Sequence, residues 1–265
     1  MASNGDTYLI GSEPYYQAVG DECLLFEAAY LQRLPVLLKG PTGCGKTRFV
    51  EFMAWRLNRP LVTVACHDDT SASDLTGRWL FDAQGTQWQD GPLTLAARLG
   101  AICYLDELLE ARPDTTVIIH PLTDTRRVLP LEKNNEQVQA HPDFLLVASY
   151  NPGHHKLLKP ATRQRFCALN FSYPSAEMES LIVSHESGVS QDMADGLVAL
   201  ATRTRRLQGH GLEEGASTRM LVHAGQLIAQ GIDPHAACYM AVANPLSDDP
   251  DVTAVLMSTV DASFA

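Results

Sequence analysis

The sequence predicts an α/β domain, in which helices flank a parallel sheet, followed by a small all-helical domain. Over the first two thirds of the 265 residues, short apolar runs alternate with helical stretches, a pattern typical of parallel α/β sheets. After about residue 173 the chain shows helical periodicity and no strand pattern. We therefore predict an α/β core over residues 1–172 and a helical lid domain over residues 173–265.

The elements of both domains follow from these patterns. Four short runs are nearly all apolar and bounded by turn or polar residues, as buried parallel strands are: Pro35–Leu38, Leu61–Val64, Ala101–Leu105 and Phe144–Ala148. Helices are predicted in the core at Lys46–Leu57 and Pro92–Leu99. In the second domain they are predicted at Glu177–Ser187, Gln191–Arg205, Ser217–Gln230 and Pro234–Asn244.

Two insertions interrupt this order. Residues 74–91 carry Trp79, Phe81 and Trp88 around a central Gly85 and predict a hairpin or loop within a helix. The alternative is that these aromatic side chains belong to the core, where tryptophan is highly buried on average. Residues 126–139 predict a second hairpin, whose turn lies at residues 133–135.

Charge and composition exclude some classes of protein. The chain has 20 Lys and Arg against 31 Asp and Glu, a net charge of -11, which disfavours tight non-specific binding to nucleic acid. Its six cysteines form no C-x-x-C pair, so reduced thiols are expected rather than disulfides or a zinc knuckle. No apolar run is long enough for a membrane span and the start lacks a signal-peptide pattern. These features predict a cytoplasmic protein.

The strongest local pattern is a phosphate-binding loop that follows the first predicted strand. It matches G-x-x-x-x-G-K-[ST] and comprises Gly40, Pro41, Thr42, Gly43, Cys44, Gly45, Lys46 and Thr47. Its glycines allow backbone amides to turn toward phosphate oxygens, and the following helix adds its positive N-terminal end. Lys46 would reach the β- and γ-phosphates and the Thr47 hydroxyl would ligate Mg²⁺. The loop predicts a site for ATP and Mg²⁺.

Two carboxylates follow the third predicted strand. Asp106 is placed to hold Mg²⁺, and Glu107 to polarise the attacking water as general base. The alternative is an Asp-Glu pair that opens the next helix, where carboxylates are favoured by the helix dipole. The phosphate loop makes the catalytic interpretation the stronger one.

Three further segments resemble those of AAA+ ATPases, in the same order along the chain. Asn151, after the fourth strand, resembles the sensor 1 residue, although an Asn-Pro turn is the alternative. Thr162–Phe166 resembles the arginine-finger segment, in which Arg165 is the first candidate and Arg163 the second. Gly215–Arg219 resembles sensor 2, so Arg219 would contact the γ-phosphate. Arg203–Arg206, in contrast, reads as a charge run that suits a helix end.

Within AAA+ proteins the chain resembles the CbbQ/NorQ group of the MoxR branch. The segments that carry this resemblance are Leu34–Thr47, Val64–Asp69, Ile118–Asp124, Ser149–Gly153 and Thr162–Phe166. The resemblance implies a homo-hexameric ATPase that remodels a protein client with a partner containing a von Willebrand factor A domain. It also implies that the insertion at residues 74–91 projects toward the ring pore.

The client depends on the type within the group. CbbQ-type proteins act with the partner CbbO to release inhibitory sugar phosphates from Rubisco, and this is the type that we favour. NorQ-type proteins serve the maturation of nitric oxide reductase. Two other classes remain open: a nucleic-acid motor or clamp loader, disfavoured by the acidic charge, and a nucleotide-locked scaffold, disfavoured by Glu107.

Overall fold

The computed structural model describes residues 6–82, 85–153, 158–209 and 212–264. They form two compact units. The first contains Met1–Gly40 and Lys46–Phe171, and the second contains Pro41–Gly45 together with Ser172–Ala265. The sequence prediction assigned the whole phosphate loop to the first domain, whereas the middle of the loop packs with the second unit.

A parallel sheet forms the centre of the first unit, and it confirms the predicted fold class. The described residues contain the strands β1 (Val36–Lys39), β2 (Leu61–Ala65), β3 (Gly77–Asp82), β4 (Gly85–Asp90), β5 (Ile102–Asp106), β6 (Val128–Leu131), β7 (Glu136–Gln139), β8 (Leu145–Tyr150) and β9 (Cys167–Asn170). Five of them pair in parallel in the order β2-β5-β8-β1-β9. Strand β9 was not predicted, because it lies at the edge of the sheet and is mostly exposed.

The helices of the first unit cover both faces of this sheet. They are α1 (Glu22–Leu31), α2 (Lys46–Arg56), α3 (Ala72–Thr76), α4 (Pro92–Leu99), α5 (Pro113–Ile118) and α6 (Pro160–Arg163). Successive strand residues belong to different apolar clusters: Cys103 packs with Leu93 of α4, and Tyr104 with Phe49 of α2. Side chains alternate between the two faces of a strand, so burial on both faces explains the continuous apolar runs in the sequence.

The register brings three strand ends to one edge of the sheet. Leu105 of β5 pairs with Ala148 of β8, and Lys39 of β1 pairs with Tyr150 of β8. The chain segments that leave β1, β5 and β8 therefore start side by side. This is the edge at which open α/β sheets bind ligands.

The insertion at residues 74–91 contains an antiparallel hairpin. Strands β3 and β4 pair Trp79 with Trp88, whose rings meet edge to face with centroids 5.5 Å apart. Phe81 is 82% exposed and Trp79 is 41% exposed, so neither is a core side chain. Residues 83 and 84, at the turn, lie outside the described residues. Strands β6 and β7 form a second antiparallel hairpin.

The second unit is helical in its described part, as predicted. Its helices are α7 (Ala176–Ser187), α8 (Gln191–Arg206), α9 (Thr218–Ala229), α10 (Pro234–Cys238), α11 (Asn244–Leu246) and α12 (Pro250–Phe264). Serines cap α7, α8 and α9 and accept a backbone hydrogen bond within the first turn. The single helix predicted over Pro234–Asn244 is broken by a π-helical turn at Tyr239–Ala243, and α12 was not predicted.

In the described residues, no helix combines the length and hydropathy needed to cross a bilayer.

Candidate active site

The phosphate loop joins β1 to α2. Lys46 opens α2, is only 8% exposed, and its Nζ donates a hydrogen bond to the carbonyl oxygen of Gly40 at 2.9 Å. Gly43 and Gly45 have φ angles of 68° and 96°, in the left-handed region that glycine adopts without strain. Alternation of backbone handedness of this kind directs amide groups into an anion-binding concavity.

Asp106 lies at the carboxyl end of β5 and accepts hydrogen bonds from hydroxyl groups. Thr47 Oγ1 donates to its Oδ2 at 3.1 Å. Tyr104 Oη and Ser149 Oγ both donate to its Oδ1, at 2.6 Å and 2.5 Å. The two predicted metal ligands, Thr47 and Asp106, are therefore in direct contact. Hard oxygen ligands of this kind suit Mg²⁺, which is commonly bound through one or two carboxylates.

Two of the three hydroxyl groups around Asp106 lie on the neighbouring strands β5 and β8. Tyr104 precedes Asp106 by two residues on β5, and its side chain is fully buried. Ser149 comes from β8, the neighbouring strand, and is also fully buried. Burial and the nearby Asp106 raise the pKa of Tyr104, so its hydroxyl remains a donor at neutral pH. Sequence reasoning gave neither residue a role in the site: Tyr104 was assigned only to a strand, and Ser149 only to a segment that carries the family resemblance.

Glu107 is the first residue after β5. Its φ of 55° and ψ of 48° lie in the left-handed region, which is uncommon for a residue with a side chain. Its backbone N–H donates to Ser149 Oγ at 3.0 Å, and its side chain is exposed. Ser149 thus contacts both acidic residues, through its own proton to Asp106 and by accepting from Glu107.

Cys66 follows β2 close to these carboxylates. Burial, together with the negative charges of Asp106 and Glu107, raises the pKa of Cys66 to about 12. The thiol therefore stays protonated at neutral pH and is not a nucleophile, since nucleophilic attack requires the thiolate. The described residues contain no cluster of His, Cys, Asp and Glu with the geometry of a multidentate metal site. Thr47 and Asp106 are the predicted residues that could hold a metal ion here.

Asn151 follows β8 at the same edge of the sheet. It is half-buried, and its Oδ1 accepts a hydrogen bond from the backbone N–H of Gly153 at 3.0 Å. This bond is an Asn turn, the alternative noted from the sequence.

The two candidate arginine fingers lie just before the edge strand β9: Arg163 is the last residue of α6, and Arg165 lies between α6 and β9. Both Arg163 and Arg165 are exposed. Arg165 Nη1 lies 3.9 Å from Asp124 Oδ2, and Asp124 also pairs with Arg126 at 2.6 Å. Among the described residues, no hydrogen bond or ion pair joins either arginine to Asp106 or Glu107. Their position at a sheet edge suits contact with a neighbouring molecule.

The middle of the phosphate loop and Arg219 are brought together within the second unit. Arg219 is exposed in the first turn of α9. A Cβ atom added at Gly43 would lie 2.6 Å from the Cβ of Ser217 and 3.5 Å from that of Arg219. Only glycine fits there, because a side chain would collide with the cap of α9. Arg219 therefore lies beside Gly43 of the phosphate loop. Its predicted contact with the γ-phosphate stays a prediction.

Arg205 lies at the end of α8, where the sequence predicted a run of cations, but it also forms an ion pair that the sequence did not predict. Its side chain is only 17% exposed and pairs with Glu179, whose side chain is 1% exposed. Arg205 Nη1 and Nη2 donate to the two carboxylate oxygens at 2.7 Å and 2.6 Å. This pair joins α7 to α8 and belongs to the interior of the second unit.

A nucleotide-binding loop after β1, with a carboxylate pair at the end of β5 on the same edge of the sheet, defines the class of protein as a P-loop ATPase. A family model described as "AAA domain (dynein-related subfamily)" matches residues 35–166. Among solved structures, a RuvB mutant from Thermotoga maritima superposes with a TM-score of 0.56 at 15% identity, covering 92% of this chain and 71% of that one. At this identity the likeness concerns the fold alone. The chain is an ATPase with a nucleotide-binding AAA core.

The chain belongs to the CbbQ/NirQ/NorQ family. A model described as "CbbQ/NirQ/NorQ C-terminal" matches residues 179–263. Protein CbbQ of Hydrogenophilus thermoluteolus is 61% identical over 97% of this chain and 98% of its own length. The denitrification regulatory protein NirQ of Pseudomonas aeruginosa is 58% identical, over 95% of this chain and 98% of its own length. The predicted resemblance is therefore confirmed at the level of the family.

Proposed function

We propose that the protein is a motor that hydrolyses Mg²⁺-ATP and uses the energy to remodel a protein client. The observation that carries this proposal is the contact between Thr47 and Asp106, with Glu107 leaving the same strand end. In P-loop ATPases a threonine and an aspartate in these positions hold Mg²⁺, and Thr47 and Asp106 would hold it here. A site with both groups in place and a free carboxylate beside them suits turnover rather than storage of nucleotide.

Each predicted site residue has a role in this proposal. The amides of Gly40–Gly45 and the Lys46 ammonium bind the phosphates. Glu107 is the general base that polarises the attacking water, and Asn151 orients that water or the γ-phosphate. Arg219 contacts the γ-phosphate. Mg²⁺, when bound, neutralises charge that develops on the phosphate oxygens.

An arginine finger from a neighbouring copy completes the proposed site. Arg165, or else Arg163, would insert its guanidinium toward the γ-phosphate bound by the next subunit and stabilise the transition-state charge. Their exposure at the edge of the sheet supports a role in trans. We therefore propose a homo-hexameric ring whose hydrolysis depends on assembly.

The proposed client is Rubisco. The family resemblance, with Protein CbbQ at 61% identity, supports a motor that acts with a von Willebrand factor A-domain partner of the CbbO type to release inhibitory sugar phosphates. The 58% identity to NirQ supports a second candidate, a NorQ-type ATPase for the maturation of nitric oxide reductase. Restored carboxylation by inhibited Rubisco, on addition of this protein, its partner and ATP, would select the first candidate. Restored activity of immature nitric oxide reductase would select the second.

The ATPase assignment is tested with Glu107→Gln. We expect phosphate release to fall by about 10²-fold or more, since general base catalysis contributes about 10²–10⁴-fold. Binding of Mg²⁺-ATP should persist, because Gln keeps the size of the side chain and the phosphate contacts lie elsewhere. The matched control is Glu177→Gln, which changes the same residue type at an exposed site in α7. Normal turnover by Glu107→Gln would remove Glu107 as the base.

The finger is tested by mixing two inactive variants. Arg165→Ala should lose about 10³-fold or more in turnover, whereas Arg163→Ala should not. In mixed rings, a Glu107→Gln subunit would supply its intact Arg165 to the site of an Arg165→Ala neighbour, which retains Glu107. Activity regained on mixing supports a finger in trans. A large loss in Arg163→Ala instead would exchange the two assignments.

A further inference from the structure

Tyr173 connects the phosphate loop with the interior of the second unit. Its Oη donates a hydrogen bond to the carbonyl oxygen of Thr42 at 3.0 Å. Thr42 lies in the middle of the loop, immediately before Gly43, and both belong to the same compact unit as Tyr173. Tyr173 was not among the residues singled out in the sequence.

The hydrogen bond acts on a peptide group that bears on phosphate binding. Because the described chain contains no cis peptide bond, the Thr42 carbonyl and the Gly43 N–H point in opposite directions across one planar unit. A donor that holds the carbonyl therefore sets the direction of the Gly43 amide. Gly43 has φ of 68° and no Cβ, so its own conformational preference restrains the peptide less than a larger residue would.

The position of the Tyr173 ring is itself fixed. The Arg205 guanidinium stacks on the ring, with its central carbon 3.6 Å from the ring centroid. Arg205 is held in turn by its two hydrogen bonds to Glu179 and by a third, from Nε to the Ala216 carbonyl oxygen at 2.8 Å. Cation–π stacking at this distance restricts the ring as well as stabilising it. The Tyr173 hydroxyl group is therefore held in position to bind the Thr42 carbonyl oxygen.

The same network reaches the start of α9. Thr218 Oγ1 donates to Glu179 Oε1 at 2.5 Å, and Thr218 directly precedes Arg219. Glu179 thus binds two groups: Arg205, which supports Tyr173, and Thr218, which lies next to Arg219 in the first turn of α9.

Tyr173 keeps its proton under ordinary conditions. Burial raises the pKa of Tyr173 to about 12, although the charge of Arg205 acts in the opposite direction. The hydroxyl is therefore a donor throughout the neutral range, as the carbonyl acceptor requires.

We propose that Tyr173 is a positioning residue for nucleotide binding, whose hydroxyl holds the Thr42–Gly43 peptide so that the Gly43 N–H faces the bound phosphates. The inference rests on the proposed function of the loop as the site for Mg²⁺-ATP. It predicts an effect on affinity for ADP and ATP alike, because the loop amides bind phosphates that remain after hydrolysis.

The test uses Tyr173→Phe, which removes the hydroxyl and keeps the ring on Arg205. Fluorescent titrations with N-methylanthraniloyl-ADP and the corresponding ATPγS derivative should show about fivefold weaker binding of both, the loss expected for one neutral hydrogen bond. The KM for ATP should rise by a similar factor, while kcat at saturation stays close to the wild-type value. The control is Tyr239→Phe, which removes a hydroxyl from an exposed tyrosine of the same unit and should change neither parameter.

Unchanged affinity in Tyr173→Phe would overturn the inference, as would a fall in kcat with normal KM. If Tyr173→Phe is less stable than the wild type, a second measurement tests the inference. This is the rise in melting temperature caused by ADP, measured against the same variant without nucleotide. A smaller rise than in wild type supports the role and an equal rise overturns it. Wild-type protein that fails to bind Mg²⁺-ATP in the same assay would instead overturn the proposed function.

Discussion

The carboxylates of Asp106, in the first unit, and Glu179, in the second, accept hydrogen bonds from different kinds of donor. Asp106 is partly exposed and accepts from three hydroxyl groups, those of Thr47, Tyr104 and Ser149. Glu179 is buried and accepts from the Arg205 guanidinium and from Thr218. Neutral hydroxyl donors orient the Asp106 carboxylate without supplying a counter-charge, which suits its proposed role as a ligand of Mg²⁺. The charge of Glu179 is already matched by Arg205, which leaves it a structural role.

The largest expected effect is on the free energy of unfolding, which should fall much further on substitution of Glu179 than of Asp106. Glu179→Gln leaves Arg205, whose side chain is only 17% exposed, without its counter-ion, and breaking one partner of a buried pair costs about 3–5 kcal/mol. We expect a loss of about 3 kcal/mol in the free energy of unfolding, measured by urea denaturation. The matched variant Asp106→Asn should lose less than about 1 kcal/mol, since no buried cation is left behind, yet its ATPase activity should collapse.

Equal destabilisation by these two variants would contradict the comparison. It would mean that the hydroxyl groups around Asp106 stabilise the fold as strongly as an ion pair does.

A smaller effect tests whether the hydroxyl groups orient Asp106 for a metal. Tyr104→Phe removes one donor to Oδ1 and leaves Ser149 on the same oxygen. We expect the Mg²⁺ concentration for half-maximal ATPase activity to rise about threefold to fivefold, as the loss of about 1 kcal/mol implies. Unaltered Mg²⁺ dependence, with only a lower melting temperature, would show that Tyr104 contributes packing and does not orient Asp106.

The parts of the molecule that could be predicted are those whose signal lies in residues close together along the chain. The phosphate loop and the pair Asp106 and Glu107 are recognisable because spacing along the chain carries their chemistry. The four buried strands were predicted because burial on both faces makes them uniformly apolar. The edge strand β9 lacks that signal, since most of its side chains meet solvent.

Contacts between distant residues could not be predicted in the same way. Ser149 meets Asp106 across two neighbouring strands, and Arg205 meets Glu179 across two helices. Nothing near Arg205 in the sequence separates a buried arginine from the exposed ones beside it. The π-helical turn at Tyr239–Ala243 likewise interrupts a pattern that is locally helical.

The backbone of Glu107 has a consequence for how this protein responds to natural selection. A left-handed conformation costs a residue with a Cβ about 1–2 kcal/mol relative to the right-handed one, and glycine or asparagine would adopt it more readily. Selection for thermal stability alone would therefore favour replacing Glu107. In the proposed function Glu107 is the general base, so a glutamate at this position would exchange some stability for activity.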